Sequence, residues 1–135
     1  MPAGPTALGL VYFGAVKLAG YTAAAGFLRR HFPENKTPLI IPGAARTAIG
    51  LAAGVGAVAL VEMLGSSRGE AFFYLLLVPV RILEWLLLIW LFYRKPKWQP
   101  RRALGFAALG TGWSYLLDLP AIFAMFAIPG GAWIC

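Results

Sequence analysis

Four ionisable residues, Lys17, Arg81, Glu84 and Asp118, stand inside long apolar runs of a chain that has few charges elsewhere. A charge at the centre of a bilayer costs at least ~2.5–3.5 kcal/mol on insertion scales, so such residues turn toward a bundle interior or water and pair. Two cations and two anions sum to zero, which is what a closed cluster of low dielectric requires. Arg81 with Asp118 and Lys17 with Glu84 is one pairing; the crossed pairing is equally allowed. Thr111, Ser114 and Asp118 follow i, i+3, i+7 spacing and make a polar stripe, with Tyr115 beside it. Together these residues form a candidate ligand-binding site or buried charge network. Such a site could hold an ion, relay a proton or seat a polar ligand. The structural alternative is that the charges only lock the helices in one arrangement.

Depth decides whether the four can meet. Lys17 sits roughly 18 Å from the outer end of its segment, at 1.5 Å of rise per residue. On the same rise, Arg81 and Asp118 are both about 15 Å down and Glu84 about 20 Å. Three segments of a bundle that alternates in direction thus bring four charges into one thin slab, and Arg81 and Glu84, three apart, share a helix face.

The elements that must carry them follow from composition. The chain has 135 residues, of which 60% are hydrophobic and 13% charged. A soluble domain of this length would hold about 45–50% apolar and about 25% charged residues. With a mean hydropathy of +0.74, there is too little polar surface to cover a single small core. Disorder is excluded by the same numbers. One cysteine, Cys135, and one histidine, His31, cannot build a disulfide scaffold or a four-ligand metal site, so no metal or cofactor is expected.

A spanning helix needs about 20 mostly apolar residues. Stretches at roughly 5–28, 43–64, 71–93 and 103–128 meet that requirement. The expected fold is all-α: one transmembrane domain over 1–135, a polytopic integral-membrane four-helix bundle with short loops. A membrane β-barrel would show alternating segments of about ten residues, whereas these runs are continuous and longer. A cleavable signal peptide opens with a positive region and a short apolar core; Met1 to Leu10 holds no charge and Lys17 falls inside the run, so the first segment reads as a retained helix.

Basic residues set the orientation. Arg29, Arg30 and Lys36 lie in the first loop, with Arg46 just beyond, and Arg94, Lys95, Lys97, Arg101 and Arg102 in the third; the second loop has Arg68 alone. Both termini are expected outside, with loops 29–42 and 94–102 cytoplasmic, in a plasma (inner) membrane. The net charge of +7 then reflects topology, and its partners are anionic head groups, not nucleic acid. Trp98 suits the head-group level. Arg46 and Glu62, toward opposite ends of the second segment, read as side chains reaching the interface, and His31 as an interfacial loop residue.

Helices in lipid associate through close contact and interhelical hydrogen bonds. Gly43, Thr47, Gly50, Gly54 and Ala57 give the second segment a small-residue stripe, for a neighbouring helix or for a homo-oligomer or other membrane subunit. Gly105, Ala108 and Gly112 suggest a similar edge on the fourth. Pro79 and Pro120 each free a carbonyl four residues back, of Leu75 and Leu116, which needs another partner.

No catalytic residue is assigned. Ser114 and Asp118 share a face but lack a histidine, and Cys135 stands far from any base. Arg29–Arg30–His31, then Glu34–Asn35 and Pro38, together with Arg102–Ala103–Leu104–Gly105–Phe106, is similar to the openings of helices two and four in the four-helix membrane-associated eicosanoid and glutathione enzymes. That resemblance implies a glutathione- or lipid-handling transferase using Arg29, Arg30, His31, Glu34 and Arg81. Two departures accompany it: the spacing from His31 to Glu34 is shorter, and Leu88 stands where many members carry a catalytic aromatic hydroxyl. The leading expectation is therefore non-enzymatic, a mid-membrane site for a small polar or amphiphilic ligand, ion or proton. A structural or assembly subunit of a larger membrane complex is the second reading, and the transferase the third.

Overall fold

The computed structural model describes residues 7–63, 70–93 and 99–127. They form four helices: α1 (Ala7–His31), α2 (Ile40–Met63), α3 (Glu70–Tyr93) and α4 (Pro100–Ala127). The described residues contain no strand. Each helix begins within a few residues of the expected apolar run.

α1 packs most extensively on α2 and α3 on α4; α2 also meets α3, and α1 touches α4 more lightly. The helices therefore stand in a ring in chain order, each antiparallel to the one before. The first connection is tight. Phe32 N–H donates to Leu28 O, Asn35 N–H to Phe32 O, and Asn35 Oδ1 accepts from Thr37 N–H at 2.8 Å, an Asx-turn that reverses the chain. Pro42 falls in the first turn of α2, where a missing N–H leaves no helical bond unmade.

The small-residue stripe of α2 seats a neighbouring helix. A Cβ on Gly43 would lie 2.9 Å from the backbone nitrogen of Thr22, so only glycine lets α1 and α2 approach this closely. Gly50 and Gly54 are buried on the same side, while the Ala57 side chain lies outside the described set. The small-residue edge of α4 faces no helix of this chain: Gly105, Ala108 and Gly112 are exposed, and a Cβ on either glycine would meet nothing within 4 Å. The close approach is made instead by Gly110, over which the Trp85 indole lies so tightly that a Cβ would overlap it.

Polarity in this bundle is inverted. Lys17, Arg46, Arg81, Glu84, Thr111, Ser114 and Asp118 are buried, whereas Val11, Val55, Leu75, Leu83, Leu109, Leu116 and Phe123 lie exposed on its outside. Among the described side chains, exposed charges occur at one end only: Arg29, Arg30, His31, Glu34, Lys36, Arg101 and Arg102. α1 and Leu75–Tyr93 of α3 are long and apolar enough to cross a membrane, and only 29% and 33% of their apolar windows are buried. Near the basic end an aromatic core of Tyr21, Trp85 and Tyr93, filled out by Leu28, Leu88, Ile89, Ala103 and Ala107, closes the bundle.

Candidate functional site

Every helix contributes to the central cluster. Ser114 and Asp118 stand one turn apart on α4, and α3 faces them with Arg81, Glu84 and Trp85. α1 supplies Lys17 and Tyr21 from consecutive turns, and α2 supplies Arg46. Asp118 accepts from two cations at once: Lys17 Nζ at Oδ1 and Arg81 Nη2 at Oδ2, at 2.6 Å. Glu84 is not paired with Lys17; its Oε2 takes Arg46 Nη2 at 2.6 Å. The quartet read from the sequence is thus a quintet.

Arg46 is the main correction. It is 1% exposed, not stretched toward an interface. Its guanidinium carbon lies 4.8 Å from the Tyr21 ring centroid and 5.2 Å from that of Trp85. A planar, weakly hydrated cation is suited to such a place, lying over aromatic faces while one nitrogen, Nη2, meets the carboxylate. Gly43 and Gly50 flank it on the same face of α2, and a Cβ on Gly50 would come within 3.0 Å of Arg46 Nη1. That pattern of a basic residue between glycines was the available signal. The Glu62 side chain, expected near the opposite end of α2, lies outside the described set, as do Arg68, Arg94, Lys95, Lys97, Trp98 and Cys135.

Ser114 is the hub between the two ion-paired groups. It is fully buried, and its Oγ faces Trp85 Nε1 at 3.0 Å, the Tyr21 hydroxyl at 3.3 Å and Arg46 Nη2 at 3.4 Å. One hydroxyl thus gathers three neighbours from three other helices. Its carbonyl accepts from Lys17 Nζ at 3.4 Å. Tyr115 takes part through its ring, 4.2 Å from the Arg81 guanidinium carbon. Thr111 is buried but spends its hydroxyl on Ala107 O, one turn back in its own helix, and does not join the ion pairs.

The charge balance is the decisive feature. Lys17, Arg46 and Arg81 oppose Glu84 and Asp118. With all five ionised, the cluster carries one excess positive charge. The Nε and Nη1 groups of both Arg46 and Arg81 are buried with no acceptor among the described residues, where each missing hydrogen bond is costly. A crevice of about 10 Å³, lined by Phe13, Lys17, Tyr21, Thr47, Gly50 and Leu51, opens beside it. That is room for a single species the size of a water molecule. No group of three or more His, Cys, Asp or Glu side chains suited to a metal occurs among the described residues.

The residues that the resemblance implied for a transferase are not brought together. Arg29, Arg30, His31 and Glu34 are exposed at the basic end, and His31 Nδ1 is within 3.1 Å of Phe27 O. Arg81 binds the carboxylate that Lys17 also holds, about 21 Å along α1 from His31.

Comparison with protein-family models matched none, and neither the curated proteins nor the solved structures gave a match.

Proposed function

We propose that this chain is a small four-span protein of the plasma (inner) membrane whose central cluster binds, or passes, a small anion. Its termini would lie outside and its basic loops in the cytoplasm. Support for the membrane setting comes from inverted polarity: an apolar exterior, ionised groups within and exposed charges at one end, where the positive-inside rule would place them.

The observation that carries the anion reading is the surplus positive charge together with four buried guanidinium nitrogens, two on Arg46 and two on Arg81, that lack acceptors among the described residues. Low dielectric makes an uncompensated charge expensive, and an anion accepting from these donors would remove both deficits. The crevice is lined by Lys17 and by neither arginine, and its volume of about 10 Å³ has room for one water molecule; chloride, which is larger, would enter and reach the guanidinium donors only as the helices part.

The test uses chloride. Lys17→Met keeps an unbranched side chain one atom shorter and leaves two cations facing two anions. Wild-type protein in detergent should melt at higher temperature in sodium chloride than in sodium gluconate, by mass action of a ligand on the folded state. The K17M variant should melt at the same temperature in both. A wild type indifferent to the anion, or a K17M variant as responsive as wild type, would refute the anion site.

A structural reading has its own support. The ion pairs tie each of the four helices to another, and the crevice is small, as a permanent lock in an assembly subunit would require. That reading expects no anion dependence and a K17M variant less stable than wild type.

A further inference from the structure

We infer that the groove between α1 and α4 holds an acyl chain of an anionic phospholipid, with the phosphate at the basic end of the bundle; this rests on the membrane setting proposed above. The two helices touch lightly and leave an open cleft of about 360 Å³ lined by Ala23, Phe27, Leu109, Gly110 and Trp113, with Trp85 at its floor. The lining is apolar almost throughout, and small residues on both helices make it deep. Trp113 Nε1 closes one end by donating to Gly20 O at 3.0 Å. The cleft's lining spans Ala23 to Leu28 on α1, about 8 Å, and Phe106 to Trp113 on α4, about 10 Å, a length that takes part of a hydrocarbon tail.

Charge selects the head group. At the other end Arg102 Nη2 donates to His31 O at 3.0 Å, and its guanidinium carbon stands 4.9 Å from the Phe32 ring centroid and 5.8 Å from that of Phe106. This holds Arg102 beside Phe106, which lines the cleft, at the end of the bundle where Arg29, Arg30 and Arg101 are also exposed; Glu34 is the one exposed carboxylate among the described residues there. Basic pockets between spanning helices on the cytoplasmic side are suited to anionic head groups. A zwitterionic lipid could fill the cleft but would gain less at its rim.

The experiment is native mass spectrometry of the full chain extracted from vesicles of equal phosphatidylglycerol and phosphatidylcholine. Wild-type protein should retain phosphatidylglycerol roughly tenfold or more over phosphatidylcholine. Ala23→Phe, which fills the cleft, should retain neither, whereas the R101Q/R102Q double variant should keep bound lipid and lose the preference. Equal retention of the two lipids by wild type, or undiminished retention by A23F, overturns the inference. So does an A23F variant that changes subunit number without changing lipid content, which would make the cleft a contact with a second copy. Wild-type chain that does not enter the vesicles overturns this inference and the membrane setting together; entry without lipid preference overturns this inference alone.

Discussion

Asp118→Asn offers the sharpest test of the central cluster. The carboxylate is buried and accepts from Lys17 and Arg81 through separate oxygens. The asparagine amide has almost the same shape, but its single carbonyl can serve one cation, and its NH₂ group points a second donor at the other. Breaking a buried ion pair from one side costs about 3–5 kcal/mol, because the remaining charge stays desolvated. Two cations lose their partner here, and the surplus positive charge of the cluster rises from one to two. At about 4 °C per kcal/mol for a domain of this size, the midpoint of thermal unfolding should fall by roughly 12–20 °C, read by circular dichroism in detergent. Adding K17M to D118N removes one of the orphaned cations and should recover about 1–2 kcal/mol of that loss, a coupling within the range of contacting pairs. A D118N protein within about 1 kcal/mol of wild type, a loss ordinary for any point mutant, would show that the cluster is hydrated and that the low-dielectric reasoning is wrong.

Two further variants probe the neighbours of that carboxylate. Ser114→Ala strips the acceptor from Trp85 Nε1 and the Tyr21 hydroxyl and should cost about 1–3 kcal/mol, with a shift of tryptophan emission as the indole loses its bond. Gly110→Ala drives a methyl group into the Trp85 ring and should destabilise by about 1–3 kcal/mol, while Gly112→Ala, with open space around it, should be neutral or stabilising by up to about 1 kcal/mol; equal effects at the two glycines would contradict the helix register.

Why the sequence reveals one part of the site and hides another is visible in three residues. Lys17 and Asp118 each sit far from either end of a continuous apolar run, so in the proposed membrane setting no side-chain length could bring them to water, and an interior position is the one open to them. Arg46 lies six residues into α2, about 9 Å from its start, a distance a long basic side chain can span. Proximity to a helix end therefore suggested the interface. What holds it inside is tertiary: Tyr21 and Trp85 stack on its guanidinium, and Glu84 is left available because Asp118 takes both other cations. The pairing pattern was equally hidden, since depth along an axis says nothing of which facing helix is adjacent and which is diagonal. On α4 small residues occur on more than one face, and composition alone does not choose between them. Position relative to Ser114 does, because Gly110 lies one turn before that buried hydroxyl and must share its side of the helix.

Trp85 is where the two proposed sites meet. Its Nε1 donates to Ser114, its ring lies 5.2 Å from the Arg46 guanidinium carbon and 5.8 Å from the Tyr21 ring at a steep angle, and it also forms the floor of the cleft between α1 and α4. The indole is thus a wall one side chain thick between a charged interior and an apolar groove. Lys17 does not line the groove and Ala23 has no part in the ion pairs, so K17M should alter the anion response and leave lipid retention as it was, and A23F the reverse. Only a change that moves the indole itself, as Gly110→Ala must, can disturb both. Loss of both responses on substituting Lys17 alone would mean that the helices no longer pack as described, because Lys17 does not line the cleft and its bonds to Asp118 and Ser114 lie on the other side of the indole.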